Sequence, residues 1–387
     1  MRIVLQKSFL LAVILLSNAS GAANASLSSA YAPELNRGQL IAAARAGGDY
    51  LIRMQRRDGS FHYYYDPAQD RFESRRYNIV RHAGTALSLL DLYAATRDGR
   101  YLESSRRAIT FLKTRLKSVR SGEAAYVLDY DGKAKLGANG LALAALAKQI
   151  ELDRKTADRK SAARLANLIL AMQRRDGSFE SRYRLRTGDP EGIASLYYPG
   201  EAILGLILFY RSNGDKRLLD CARRGADYLI ESQRMLGALP PDAWLMQALE
   251  ALYNIGREKK YAEHSIALAE AMIADQYSES DPAGYSGGFG PGPPRATPAA
   301  ARAEGLVAAY RVARSTGDSR AAKIAGSLKA CASFQLAQQF SVRNSTSLPN
   351  PRRAAGGFRE GLTSMKIRID FVQHNISSLV GIAKALY

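Results

Sequence analysis

Cysteine is nearly missing from this chain. Cys221 and Cys331 are the only two in 387 residues, too few for a disulfide scaffold or for a thiolate zinc or iron–sulfur centre. Histidine is almost as scarce: His62, His82, His264 and His374 leave no room for a His-rich centre, and no cofactor or metal is implied. There is no Gly-x-Ser-x-Gly elbow, no phosphate-binding P-loop and no His-Glu-x-x-His, so three common hydrolase chemistries lack their anchor residues. No Asp-x-Asp-Asp stretch supports proton-initiated terpene cyclisation. Past the first 25 residues no apolar run is long enough to cross a bilayer. That implies no stable membrane insertion.

What is present is a large core and a positive charge. Hydrophobic residues make up 47%, and 55 Lys+Arg against 36 Asp+Glu give +19. Disorder is therefore excluded. Such a charge suits nucleic acid, anionic lipid or an acidic polymer. No nucleic-acid motif accompanies it, which leaves an acidic glycan, or a merely solvated basic surface, as the readings. Residues 1–25 have the form of a cleavable signal peptide. Arg2 and Lys7 form a basic start, Phe9–Leu16 an apolar run, and Ala23-Asn24-Ala25 a small-x-small cleavage site. A retained N-terminal anchor is the alternative. A periplasmic or secreted product is expected, cut near Ala25.

Repetition organises the rest. Residues 47–61 read GGDYLIRMQRRDGSF and 165–180 read LANLILAMQRRDGSFE. Weaker copies follow at 225–237, 268–276 and 328–335, with Gln233, Gln276 and Gln335 in the glutamine position. Each is an amphipathic helix that breaks near its glutamine. Gln55 and Gln173 are two periods of about 60 residues apart, and the length after the leader holds six such periods. Between them lie more apolar, alanine-rich helices: Asn78–Thr96, Leu136–Ile150, Pro199–Ser212, Asp242–Ile255, Pro298–Ser315 and Asp370–Leu386. A helix apolar on most sides belongs inside, one with a charged stripe outside. The pattern predicts an all-α, single-domain (α/α)6 toroid of six helical hairpins over residues 36–387. An open α-solenoid is the alternative.

Inner-to-outer links are short, such as Arg97-Asp98-Gly99. Outer-to-inner links are long: 56–77, 118–136, 174–198, 277–297 and 341–369. In a closed ring the long links share one face, above the N-termini of the inner helices, where positive dipole ends gather. Ionisable side chains in those helices need water or a partner. The catalytic candidates are Glu201 and Asp370 first, then Glu304, His82 and His374. The substrate-binding candidates are Tyr77, Asn78, Arg81, Asn139, Tyr198, Asp242, Trp244, Tyr285, Arg295 and Arg368. Several have a simpler alternative. Asn78, Asp242 and Thr297 could be helix caps, His82 a hydrogen-bonded core histidine, and Glu201 a first-turn carboxylate at a helix dipole. Closure of the ring should bring His82, Glu201, Glu304 and His374 to one cavity, with a basic rim from Arg76, Arg81, Arg295 and Arg368.

The Q-x-x-D-G-S-F segments (Gln55–Phe61 and Gln173–Phe179) resemble the QW-type repeats of squalene cyclases and their toroid relatives. The plan from about residue 36 to 387 resembles the six-hairpin glycosidase group and the toroids of uronate lyases and glucuronyl C5-epimerases. The resemblance implies an exported enzyme that cleaves or modifies an acidic polysaccharide, as glycoside hydrolase or as uronate lyase or epimerase. Hydrolysis needs two carboxylates flanking the bond. A lyase or epimerase needs a neutralised carboxylate, from Asn78, Arg81 and His82, with a tyrosine such as Tyr198 or Tyr285 exchanging the proton. A non-catalytic glycan- or envelope-polymer-binding protein and a terpenoid-cyclase-like protein are the other classes.

Overall fold

The computed structural model describes residues 35–387 apart from 75–76, 120–121, 154–157 and 184–194. The leader expected over residues 1–25, and Arg76 of the expected rim, lie outside the described residues.

Alanine and leucine without a charged stripe produce the inner helices. These are α2 (Ile79–Thr96), α4 (Leu136–Leu152), α6 (Tyr198–Asn213), α8 (Ala243–Gly256), α10 (Ala296–Thr316) and α13 (Ile369–Leu386). Each packs on the next, and α13 returns to α2, so the ring closes. The open solenoid is thereby excluded. Outside them run α1 (Arg37–Met54), α3 (Gly99–Thr114), α5 (Arg159–Ala171), α7 (Lys216–Leu236), α9 (Lys259–Ala274) and α11 (Ala321–Ala337), each presenting an apolar face inward. A one-turn helix, α12 (Pro351–Ala354), sits in the last long link. The expected helix starts hold to within two residues.

The short hinges are built as their residues dictate. Arg97 and Gly214 take left-handed backbone at the end of α2 and α6, and Asp98 and Asp215 then cap α3 and α7 through Arg100 N and Arg217 N. Inner neighbours come closest at α4 and α6. A Cβ on Gly205 would lie 2.4 Å from the Gly140 carbonyl oxygen, so only glycine permits that approach.

The repeated glutamine is a clip between outer helices. Gln55 Nε2 donates to Gly59 O and to Ser104 O on α3, at 3.2 and 2.9 Å. Gln173 does the same to Gly177 O and Cys221 O, and Gln276 to Gly287 O and Ser327 O. Each glutamine also bridges an antiparallel phenylalanine: Phe61, Phe179 and Phe289. The fourth clip is Gln339, not the expected Gln335. It pairs with Phe358 and donates to Gly356 O and, across the seam of the ring, to Ala43 O on α1 at 2.9 Å. Gln335 is instead buried and accepts from Ser378 Oγ. Gln233 lies within α7 and is bonded to His264 Nε2.

The long links carry short strands: β1 (Tyr64–Asp66), β2 (Arg71–Phe72), β3 (Leu116–Val119), β4 (Ala124–Val127), β5 (Ala134–Lys135), β6 (Arg182–Tyr183) and β7 (Ile367–Arg368). The order β2-β1-β7 is antiparallel, with Tyr64 opposite Arg368. This joins the first long link to the last. Both cysteines are free and buried.

Candidate active site

The N-terminal turns of the inner helices surround a cavity of about 330 Å³. From α2 come Asn78 and Arg81, from α6 Tyr198 and Glu201, from α8 Trp244, from α10 Thr297 and Arg302, and from α13 Asp370, Gln373 and His374. Only ring closure places them together.

Glu201 enters from the first turn of α6, behind Pro199, and is 4% exposed. Among the described residues its Oε2 has no hydrogen-bond partner. Burial, with Asp242 adding like charge, pushes the carboxyl up to about 8, so it is protonated at neutral pH. Asp242 is fully buried and caps α8, accepting from Trp244 N and Leu245 N at 3.1 and 3.0 Å. Burial lifts it to about 7. It stands behind the wall, not in it.

Asp370 is 3% exposed and fully engaged. Arg368 donates to both of its oxygens, at 2.5 and 2.9 Å, and Arg81 Nε lies 3.0 Å from Oδ2. Arg81 also donates to Tyr63 Oη at 2.6 Å. The carboxylate thus orients two guanidiniums and has no free oxygen for attack. His374 sits one turn further along α13. Its Nδ1 is 3.2 Å from both oxygens of Glu304 on α10, and its ring is tilted against Trp244 at 6.0 Å. Burial works against the imidazolium, yet the Glu304 carboxylate outweighs it and raises His374 above its usual value. Burial raises Glu304 as well. His374 Nε2 lies 3.4 Å from Gln373 Nε2. Glu304 itself borders a second cavity on the far side of the ring, with Asp91 and Lys148.

Other candidates lie elsewhere. His82 is fully buried between α2 and α3. Its Nε2 donates to Ala108 O at 2.9 Å and its Nδ1 accepts from Tyr77 Oη at 2.7 Å, against the rings of Phe61 and Phe111. Burial depresses it to about 4. It is a neutral core histidine, and Tyr77 is its partner rather than a residue of the central cavity. Asn139 is buried and spent on backbone, accepting from Val127 N and donating to Lys135 O. Tyr285 packs on Tyr277 at 5.1 Å, away from the cavity. Arg295 is exposed at the start of α10. Thr297 lies inside α10 rather than capping it, and its Oγ1 is buried without a partner.

No protein-family model matches the chain, and no curated protein matches it in sequence. Solved structures do match in shape. A D-mannose isomerase is similar with TM-score 0.68 and 13% identity, over 90% of this chain and 97% of that one. A cellobiose 2-epimerase from Bacillus thermoamylovorans gives 0.67 and 12%, over 90% and 99%. An α-1,6-mannanase of Salegentibacter, solved with α-1,6-mannotriose, gives 0.62 and 12%, over 89% and 99%. The chain is an (α/α)6 toroid. At these identities the likeness is one of fold.

Sequence reasoning overlooked Arg302 and Gln373. Arg302 interrupts the alanine run of α10 two residues before Glu304. The burial cost that singles out Glu304 applies to it equally.

Proposed function

We propose that this protein is a carbohydrate-active enzyme that moves a proton on a sugar held in the central cavity. Glu201 acts as the acid, and His374, oriented by Glu304, exchanges the proton at Nε2. The observation that carries this reading is Glu201 itself. It is a buried, protonated carboxyl with an unpartnered oxygen, in one cavity with a carboxylate-held histidine. A neutral acid and a tunable base are what abstraction at a carbon next to a carbonyl or carboxylate requires. Isomerisation, epimerisation and eliminative cleavage all belong to that class. Asp370 counts against hydrolysis, because its oxygens are occupied by Arg81 and Arg368. Hydrolysis is kept as the second reading for one reason: a protonated Glu201 is also the acid a glycosidase needs. The charged side chains set in its wall, Arg81, Arg302, Asp370 and His374, argue against a terpenoid cavity, and the acid–base set argues against a purely binding role. Trp244 and Tyr198 supply ring surfaces for a sugar.

The test is a panel of sugars and polysaccharides incubated in D2O. Deuterium entering carbon of the recovered sugar, or an unsaturated product, supports proton transfer. New reducing ends without deuterium would replace it with hydrolysis. We further propose that the enzyme works outside the cytoplasm, residues 1–25 being a leader and 36–387 the working domain. N-terminal sequencing of the exported protein checks this, with Ser26 as the expected first residue.

A further inference from the structure

Arg302 is an unusual cation for the wall of such a cavity. It leaves α10 in its second turn, and its guanidinium lies over the ring of Phe289 at 5.0 Å. Among the described residues its one hydrogen bond is a long one to Gly290 O, 3.4 Å. Among the described residues it has no carboxylate partner, and Asp275 acts on it only at a distance. Every other strong charge at the cavity is answered. His374 faces Glu304, and Arg81 and Arg368 share Asp370. Even there two guanidiniums meet one carboxylate, which leaves a unit of positive charge. Glu201 contributes none while protonated. The helix N-termini that line the cavity add partial positive charge of the same sign. The cavity wall is therefore electropositive.

We propose that Arg302 is the specificity residue for a carboxylate on the substrate, so that the cavity takes a uronic-acid sugar rather than a neutral one. This rests on the central cavity being the sugar site, and it departs from the neutral sugars named for the structural neighbours. A planar guanidinium seated over the Phe289 ring is placed for two parallel hydrogen bonds to a carboxylate. Binding would also neutralise a partly buried charge, whose burial lowers the pKa of Arg302 when the cavity is empty.

Trp244 is the only tryptophan and lines the same cavity, so its emission reports binding without turnover. The experiment titrates the purified protein with galacturonate, mannuronate and glucuronate disaccharides, each beside its methyl ester. At least one acid should bind on the order of 10–100-fold more tightly than its ester, as a charge-assisted pair implies. Arg302→Gln should erase that preference, and Arg302→Lys should keep part of it. Should the glutamine variant fail to melt cooperatively, the lysine variant and the loss of preference at high salt carry the test. Equal binding of acid and ester, a preference that survives Arg302→Gln, or no binding by any acid would overturn the proposal. Acid-selective binding without turnover of any sugar would sink the acid–base reading alone. Turnover of neutral sugars without acid preference would do the reverse.

Discussion

At the scale of single residues, burial decides which ionisable groups do chemistry. Glu201 and His82 are both enclosed, at 4% and 0% exposure, yet only Glu201 has an atom left over. Glu201→Gln keeps the shape and removes the transferable proton. Turnover should fall by on the order of 10²-fold or more, with the fold retained. Wild-type activity should decline as pH rises through about 8 and the acid ionises. Stability follows the same sign. A carboxyl raised from 4.5 to about 8 keeps its proton in the folded state and loses it in the unfolded one, so stability falls as pH rises across that window. Asp242, raised to about 7, adds to the slope. Melts at acid and alkaline pH should therefore be flatter for Glu201→Gln than for wild type. A variant as steep as wild type would show that Glu201 ionises normally. His82 carries the opposite slope. It is depressed to about 4, so its contribution is lost as pH falls from 6.5. His82→Phe should cost about 1–3 kcal/mol, because Tyr77 Oη and Ala108 O lose their partner. Turnover per folded molecule should be unchanged, and a large loss of turnover would return His82 to the site.

At the scale of elements, the clips tie outer helices that side-chain packing alone would leave to slide. Gly59 has φ +88°, and a Cβ there would stand 2.2 Å from Arg107 O on α3. Gly59→Ala should thus cost more than an ordinary surface change, about 1–3 kcal/mol for the forced backbone. Gln339→Ala removes two hydrogen bonds, one of them across the seam between α11 and α1. It should lower the melting temperature without altering Trp244-reported binding, since neither residue reaches the cavity. Unchanged melting in both would mean the clip is only decoration. The clip also positions the site: the Gln276–Phe289 bridge sets the ring on which Arg302 rests.

At the scale of the whole molecule, closure is the condition for the site. Deleting residues 369–387 would expose the faces of α1, α2, α10 and α11 that α13 covers, and would remove Asp370 and His374 together. Loss of the cooperative melt is expected, rather than a proportionate loss of helix. A truncated chain that still melts cooperatively, with about eleven-twelfths of the helical signal, would describe a solenoid instead. Closure also gathers charge. The face that collects inner-helix N-termini becomes positive, and among the described residues Arg302 stands on it without a carboxylate partner.

Periodicity, composition and capping residues determined a good deal from the sequence alone. The twelve toroid helices, which of them are inner, and the short hinges were all legible, because these depend on spacing within one or two turns. The seam clip at Gln339 was not. Gln339 and its Phe358 stand 19 residues apart in a loop, whereas Gln55 and Phe61 stand 6 apart, and only the short spacing leaves a recognisable motif. What each polar residue does was decided by tertiary structure. Asp370 loses its freedom to Arg81, which is 289 positions away, and His374 finds Glu304 on a neighbouring helix 70 positions away. His82 turns outward to a carbonyl of α3. Hydrogen-bond satisfaction and burial are properties of the closed ring, and no local pattern encodes which oxygen is left without a partner.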